Sequence, residues 1–121
     1  MAKKEYLPTD EQVIKFKMLN ELADSIYLEM KEFSKKKPDD TLNAFKVKNI
    51  NRILTQLKDF LKDEPTAGFL EVLDSESLPS NSDAILIIGQ FKASMDNYKK
   101  KYTTKYGHWK SLENPEGRPR N

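Results

Sequence analysis

No cysteine occurs among the 121 residues, and there is one histidine, one tryptophan and only four glycines. Without cysteine there is no disulfide, no thiolate metal site and no cysteine nucleophile. The glycines stand singly at positions 68, 89, 107 and 117, so no glycine-rich loop is available to cradle a phosphate. A Gly-x-Ser-x-Gly elbow is absent as well. Long apolar runs are also missing: the longest covers residues 84–88, far short of the roughly 20 that span a bilayer. Residues 1–6 carry no apolar segment of the kind that builds a secretory leader. The expectation is a cytoplasmic, reducing setting with no membrane partner.

Hydrophobic residues make up 37% of the chain and charged residues 33%, with a mean hydropathy of −0.76. That apolar share suffices for amphipathic helices, which need a stripe on one face only. Six Phe and five Tyr argue against a disordered chain. The length suits one domain, expected over residues 1–110, with 111–121 as a tail. The net charge of +2 is unevenly spread. Residues 1–40 hold eight Lys against nine Asp or Glu, and residues 41–91 hold five basic against seven acidic. Residues 92–121 hold eight basic against three acidic, so the basic character belongs to the C-terminal end alone.

Three long helices emerge from the apolar spacing. Thr9-Asp10-Glu11-Gln12 reads as a capping box, and Phe16, Leu19, Ala23, Ile26, Met30 and Phe33 follow at alternating steps of three and four. Helix 1 is expected at about residues 10–36, ending at Lys35-Lys36-Lys37 before Pro38. Asp40 or Thr41 is the expected cap of helix 2, at about 40–62. Its stripe of Val47, Ile50, Leu54, Leu57 and Leu61 is widened by Phe45, Ile53 and Phe60. A short helix is expected at about 66–74, its Phe69–Leu73 stretch acting as a lid beneath a Ser-, Pro- and Asn-rich loop. Ser80 and Asp83 form a second capping box for helix 3, expected at about 82–106 and stopping at Gly107 as the C′ residue. Residues 84–88 admit a strand reading, but no second strand candidate exists to pair with them, so a buried helix start is preferred. The fold expected is an all-α antiparallel bundle with an extended C-terminal tail, mobile unless a partner orders it.

Catalytic constellations are sparse. His108, the single histidine, stands between Gly107 and Trp109 with no visible orienting partner, and reads as an exposed residue past a helix end. Asp59, Asp63 and Glu64 could contribute to a hard-cation site, yet Lys58 and Lys62 interleave with them as on a solvated helix face. A helical metal site usually adds a Glu-x-x-His from another helix, and none is present. The chain is therefore expected not to be an enzyme and to use no cofactor, metal or small-molecule substrate.

Two kinds of partner remain. The first is another protein, or a second copy of this chain. On helix 1, Val13, Ile14, Met18, Tyr27 and Leu28 lie off the main stripe, as do Ile85, Leu86 and Ile87 on helix 3. Tyr106 and Trp109 fall where the bundle should be ending. Tyr106, Trp109, Ile85 and Leu86 are thus the candidate partner-binding residues of a small subunit, adaptor or inhibitor. The second kind is nucleic acid, with Lys99, Lys100, Lys101, Lys105 and Lys110 tracking phosphates among aromatic rings. Gly117-Arg118-Pro119-Arg120 resembles the core of an AT-hook, which implies Arg118 and Arg120 in a minor groove, although Glu116 stands where an arginine would be expected.

Overall fold

The Thr9 capping box forms as the sequence predicts. Thr9 Oγ1 accepts from the Gln12 N–H at 3.1 Å, and Gln12 Oε1 accepts from the Thr9 N–H at 2.8 Å. The computed structural model describes residues 6–120. Residues 1–5 of the segment read for a leader lie outside the described residues, as does Asn121 at the end of the tail. Helix α1 spans Asp10–Lys36, α2 spans Ala44–Phe60 and α3 spans Asn81–Tyr102, with a 3-10 turn at Pro65–Phe69. No strand occurs among the described residues, and residues 84–88 lie inside α3. No described helix is long and apolar enough to cross a membrane.

The fold is all-α. Cross-contacts fix the helix directions. Phe16 near the start of α1 stacks on Tyr98 near the end of α3, whereas Asp24 further along α1 pairs with Lys92. Phe16 also faces Phe60 at the end of α2, while Phe33 late in α1 lies under Lys46 at the start of α2. Helix α1 is therefore antiparallel to both α2 and α3, which run parallel to each other. Parallel neighbours need a connection that returns the length of the bundle, and residues 61–80 supply it. That crossover is pinned midway by Asn51, whose side chain donates to the Leu73 carbonyl and accepts from the Leu73 N–H, both at 2.8 Å. Leu61, Leu70 and Leu73 enter the core from it, joining Phe16, Leu19, Ala23, Leu54, Leu57, Ile88, Phe91 and Met95. Packing is most extensive between α1 and α3, slighter between α1 and α2, and least between α2 and α3.

Several element boundaries differ from the sequence reading. Helix α2 begins at Ala44 rather than residue 40, because Asn43, not Asp40 or Thr41, caps it by accepting from the Lys46 N–H at 2.8 Å. Residues 40–42 are used otherwise: Leu42 N–H bonds the Pro79 carbonyl and Asn81 N–H bonds the Asp40 carbonyl. These bonds tie together the starts of α2 and α3. The short helix is only the turn Pro65–Phe69, with Phe69 exposed and Leu70 and Leu73 buried in extended chain beyond it. Ser80 Oγ accepts from the Asp83 N–H at 3.1 Å, capping α3, but Asp83 does not return the bond to the Ser80 N–H, so only half of the expected capping box forms. Helix α3 stops at Tyr102, not 106, since Thr103 is extended and bridges to Trp109, folding the chain back on itself. Gly107 is accordingly not a C′ residue. It sits in the turn between those bridge partners with φ of 83°, a left-handed conformation that favours glycine.

The tail is irregular, as expected, but it is anchored within the chain. Leu112 N–H donates to the Pro8 carbonyl at 2.9 Å, and Ser111 Oγ donates to Asp10 Oδ1 at 2.6 Å. Arg120 Nη1 reaches Asp10 Oδ2 at 2.9 Å, and Glu113 Oε2 accepts from the Asp10 N–H at 2.9 Å. Glu113 places a carboxylate on the first turn of α1, where free N–H groups and the helix dipole favour negative charge.

Candidate docking groove

A groove of about 1230 Å³ runs between α1 and α2. From α1 it is lined by Leu19, Leu22, Ile26, Glu29, Met30 and Phe33, and from α2 by residues that include Phe45, Lys46, Lys48, Ile50, Arg52 and Ile53. The crossover reaches it only at Ser75. Leu19, Met30 and Ile50 form an apolar floor that is buried in the core. The rim is exposed and also apolar: Phe45 is 75% accessible, Leu22 43% and Phe33 37%. Its volume exceeds the roughly 300–1,000 Å³ of ordinary small-molecule clefts. An exposed apolar surface of this kind marks an interaction site more often than a free surface.

Both banks follow from helical geometry. On α1, Ile14, Met18, Leu22 and Ile26 succeed one another at steps of four, forming a second apolar stripe beside the buried one. Ile14 and Met18 are 68% and 53% exposed, so the stripe leads along the helix into the groove. On α2, Phe45 stands two residues from Val47 and thus on the opposite side of the helix from the Val47, Leu54, Leu61 face. The placement of Phe45 in the core stripe is therefore corrected. The signal was in the sequence: the positions four and seven after Phe45 are Asn49 and Arg52, both polar.

Positive charge dominates the groove walls. Lys46, Lys48 and Arg52 line it against the single carboxylate of Glu29. Lys46 Nζ lies 4.1 Å from the centre of the Phe33 ring, closing one end of the groove with a cation–π contact between α2 and α1. Neither Lys48 nor Arg52 has a carboxylate within 4.0 Å among the described residues.

The residues singled out from sequence are scattered by comparison. Trp109 is not a displayed anchor. Its ring packs 4.9 Å from Phe16 and 6.3 Å from Tyr98, in a cluster with Phe60 and Tyr102. Tyr106 is 75% exposed, with Lys105 Nζ 5.0 Å from its ring centre. Leu86 is exposed, whereas Ile85 and Ile87 are partly buried against the core. Of the off-stripe residues on α1, Val13 is buried and Tyr27 partly so, with Lys92 over its ring, while Ile14, Met18 and Leu28 are exposed.

The basic C-terminal residues are partly committed elsewhere. Lys99, Lys100 and Lys105 are exposed, and Lys110 is partly buried. Lys101 pairs with Glu64 at 3.5 Å, and Tyr102 donates to the same carboxylate at 3.3 Å. The neighbouring Tyr102 phenol, followed by the Glu64 charge, holds the Lys101 ammonium above its ordinary range against the effect of burial. Arg118 pairs with Glu116 and Arg120 with Asp10, so both arginines of the AT-hook-like segment already have carboxylate partners. Among the acidic residues, Glu64 is engaged by Lys101 and Asp59 by Lys62. No group of three or more His, Asp or Glu able to hold a metal ion occurs among the described residues. His108 is partly buried, its backbone tied to Thr104.

Comparison of the chain with protein-family models, with curated proteins and with solved structures finds no match.

Proposed function

We propose that this chain is a non-catalytic protein-interaction module that binds another protein through the α1–α2 groove. The observation that carries this reading is the exposed apolar rim of Leu22, Phe33 and Phe45 above a floor continuous with the core. An aromatic side chain left 75% exposed gains about 1.5–3 kcal/mol when a partner covers it. Aromatic residues, Phe among them, are enriched in the buried cores of interfaces.

The test compares the full chain with its Phe45→Asp variant as baits in an extract of the source cells. Phe45 makes no core contact that its loss would break, so helicity by circular dichroism should be unchanged. The expected result is a protein held by the parent chain and lost with the variant. Identical captured proteins from both baits would refute the groove as the binding surface. A nuclease-sensitive species that ignores Phe45→Asp, and whose affinity falls steeply with salt, would move the function to Lys99, Lys100, Lys105 and Tyr106 instead.

A further inference from the structure

We infer that the occupant of the α1–α2 groove is an acidic amphipathic helix of another protein; this rests on the interaction role proposed above and adds the chemistry of the partner. The groove lies between two antiparallel helices and combines a buried apolar floor with an exposed apolar rim, the setting in which a further helix packs onto a bundle. Helix α2 has 17 residues, about 26 Å at 1.5 Å per residue, so the floor accommodates roughly two heptads of a third helix laid along it. Such a helix presents apolar residues at steps of three and four to the floor and its flanking residues to the rims.

Charge selects the kind of helix. Lys46, Lys48 and Arg52 meet only Glu29 on the lining, and Lys48 and Arg52 have no carboxylate partner among the described residues. Flanking Glu or Asp on the incoming helix would satisfy those cations, whereas flanking Lys or Arg would be repelled. The same charges disfavour a second copy of this chain. A symmetric dimer built on this face would gather the Lys46, Lys48 and Arg52 cations of both copies against only their two Glu29 carboxylates. The described residues of the chain's own C-terminal tail are held at the opposite end of α1, through Asp10 and Pro8, and do not line the groove.

Two capped peptides of 17 residues, the length of α2, make the test. Both carry Leu at positions one, four, eight, eleven and fifteen, with Ala elsewhere on the apolar side. One has Glu at the flanking positions and the other Lys. Binding to the full chain is read by fluorescence anisotropy of a labelled peptide, and the mass of the free chain by sedimentation equilibrium. The Glu peptide is expected to bind at least about tenfold more tightly than the Lys peptide, with the preference shrinking as salt is raised. Phe45→Asp should abolish binding of both, and the pair Lys48→Glu with Arg52→Glu should reverse the preference while leaving the helical spectrum unchanged. Equal affinity for the two peptides, with both lost in Phe45→Asp, would overturn the acidic partner and leave the groove standing. Binding that ignores Phe45→Asp, or no binding of either peptide, would overturn the helix-in-groove proposal. A Phe45-dependent dimer of the free chain would overturn it too, by making a second copy the occupant.

Discussion

Replacing Trp109 with alanine should destabilise the fold, while the same change at Tyr106 should leave it nearly untouched. The two residues are three apart and look alike in the sequence, but the structure separates them. Trp109 packs its ring 4.9 Å from Phe16 and 6.3 Å from Tyr98, whereas Tyr106 is 75% exposed. Truncating a fully buried Trp costs about 3–5 kcal/mol, and aromatic pairs add about 0.5–1.5 kcal/mol beyond area. Trp109 is only partly buried, so about half of the first figure applies, and with one close aromatic pair the total is about 2–4 kcal/mol. For a chain of this size that corresponds to a fall in Tm of roughly 8–16 °C. Tyr106→Ala should stay within about 0.5 kcal/mol, as surface substitutions do. Thermal melts followed by far-ultraviolet circular dichroism measure both, since that signal does not depend on the lost tryptophan. Equal melting temperatures for Trp109→Ala and the parent chain, or equal losses for the two variants, would refute the assignment of Trp109 to the core.

Three further outcomes follow from the tail and the aromatic end. Arg120 first, then Ser111, hold the Asp10 carboxyl below its ordinary value by hydrogen bonding. That contribution is present above the unfolded carboxylate's pKa and lost as pH falls through the lower folded value, so the tail should detach in acid below about pH 4. Hydrogen exchange over residues 111–118 checks this, and Arg120→Ala should move the detachment to higher pH. Burial first, then the Tyr102 and Glu64 charges, push the Tyr98 phenol above its ordinary range. Its stabilisation is complete below the unfolded tyrosine's pKa and lost as pH rises past it, so Tm should decline above about pH 10 and decline less in Tyr98→Phe. Gly117 has a φ of 65°, and a Cβ there would lie 2.7 Å from Thr104 Cγ2. Gly117→Ala should therefore cost about 1–3 kcal/mol and increase exchange in the tail, whereas unchanged melting and exchange would remove the strain assigned to that position.

Local chemistry made most of the fold legible. The Thr9 capping box, the Ser80 cap and the three-and-four spacing of Phe16, Leu19, Ala23 and Met30 each depend on residues within one or two turns, and each formed as predicted. Where a distant partner decided the outcome, local spacing did not show it. Asp40 and Thr41 look like helix caps, but pairing with residues 79–81 drew them into extended chain. Thr103 ended α3 a turn early because it bridges to Trp109. The tail has the composition of a free segment, yet it is held by Pro8 and Asp10, about a hundred positions away in the chain.

The sequence by itself determined three amphipathic helices, their apolar stripes and the confinement of net positive charge to the last thirty residues. Those properties depend on residue type and spacing along one helix, which the chain carries locally. Only the tertiary structure decided which apolar surplus stays uncovered. Ile85, Trp109 and Val13 were absorbed by neighbours, while Leu22, Phe33 and Phe45 were left on the rim of a groove. The physical reason is that exposure belongs to a pair of helices and how they pack, and α1 packs more extensively on α3 than on α2.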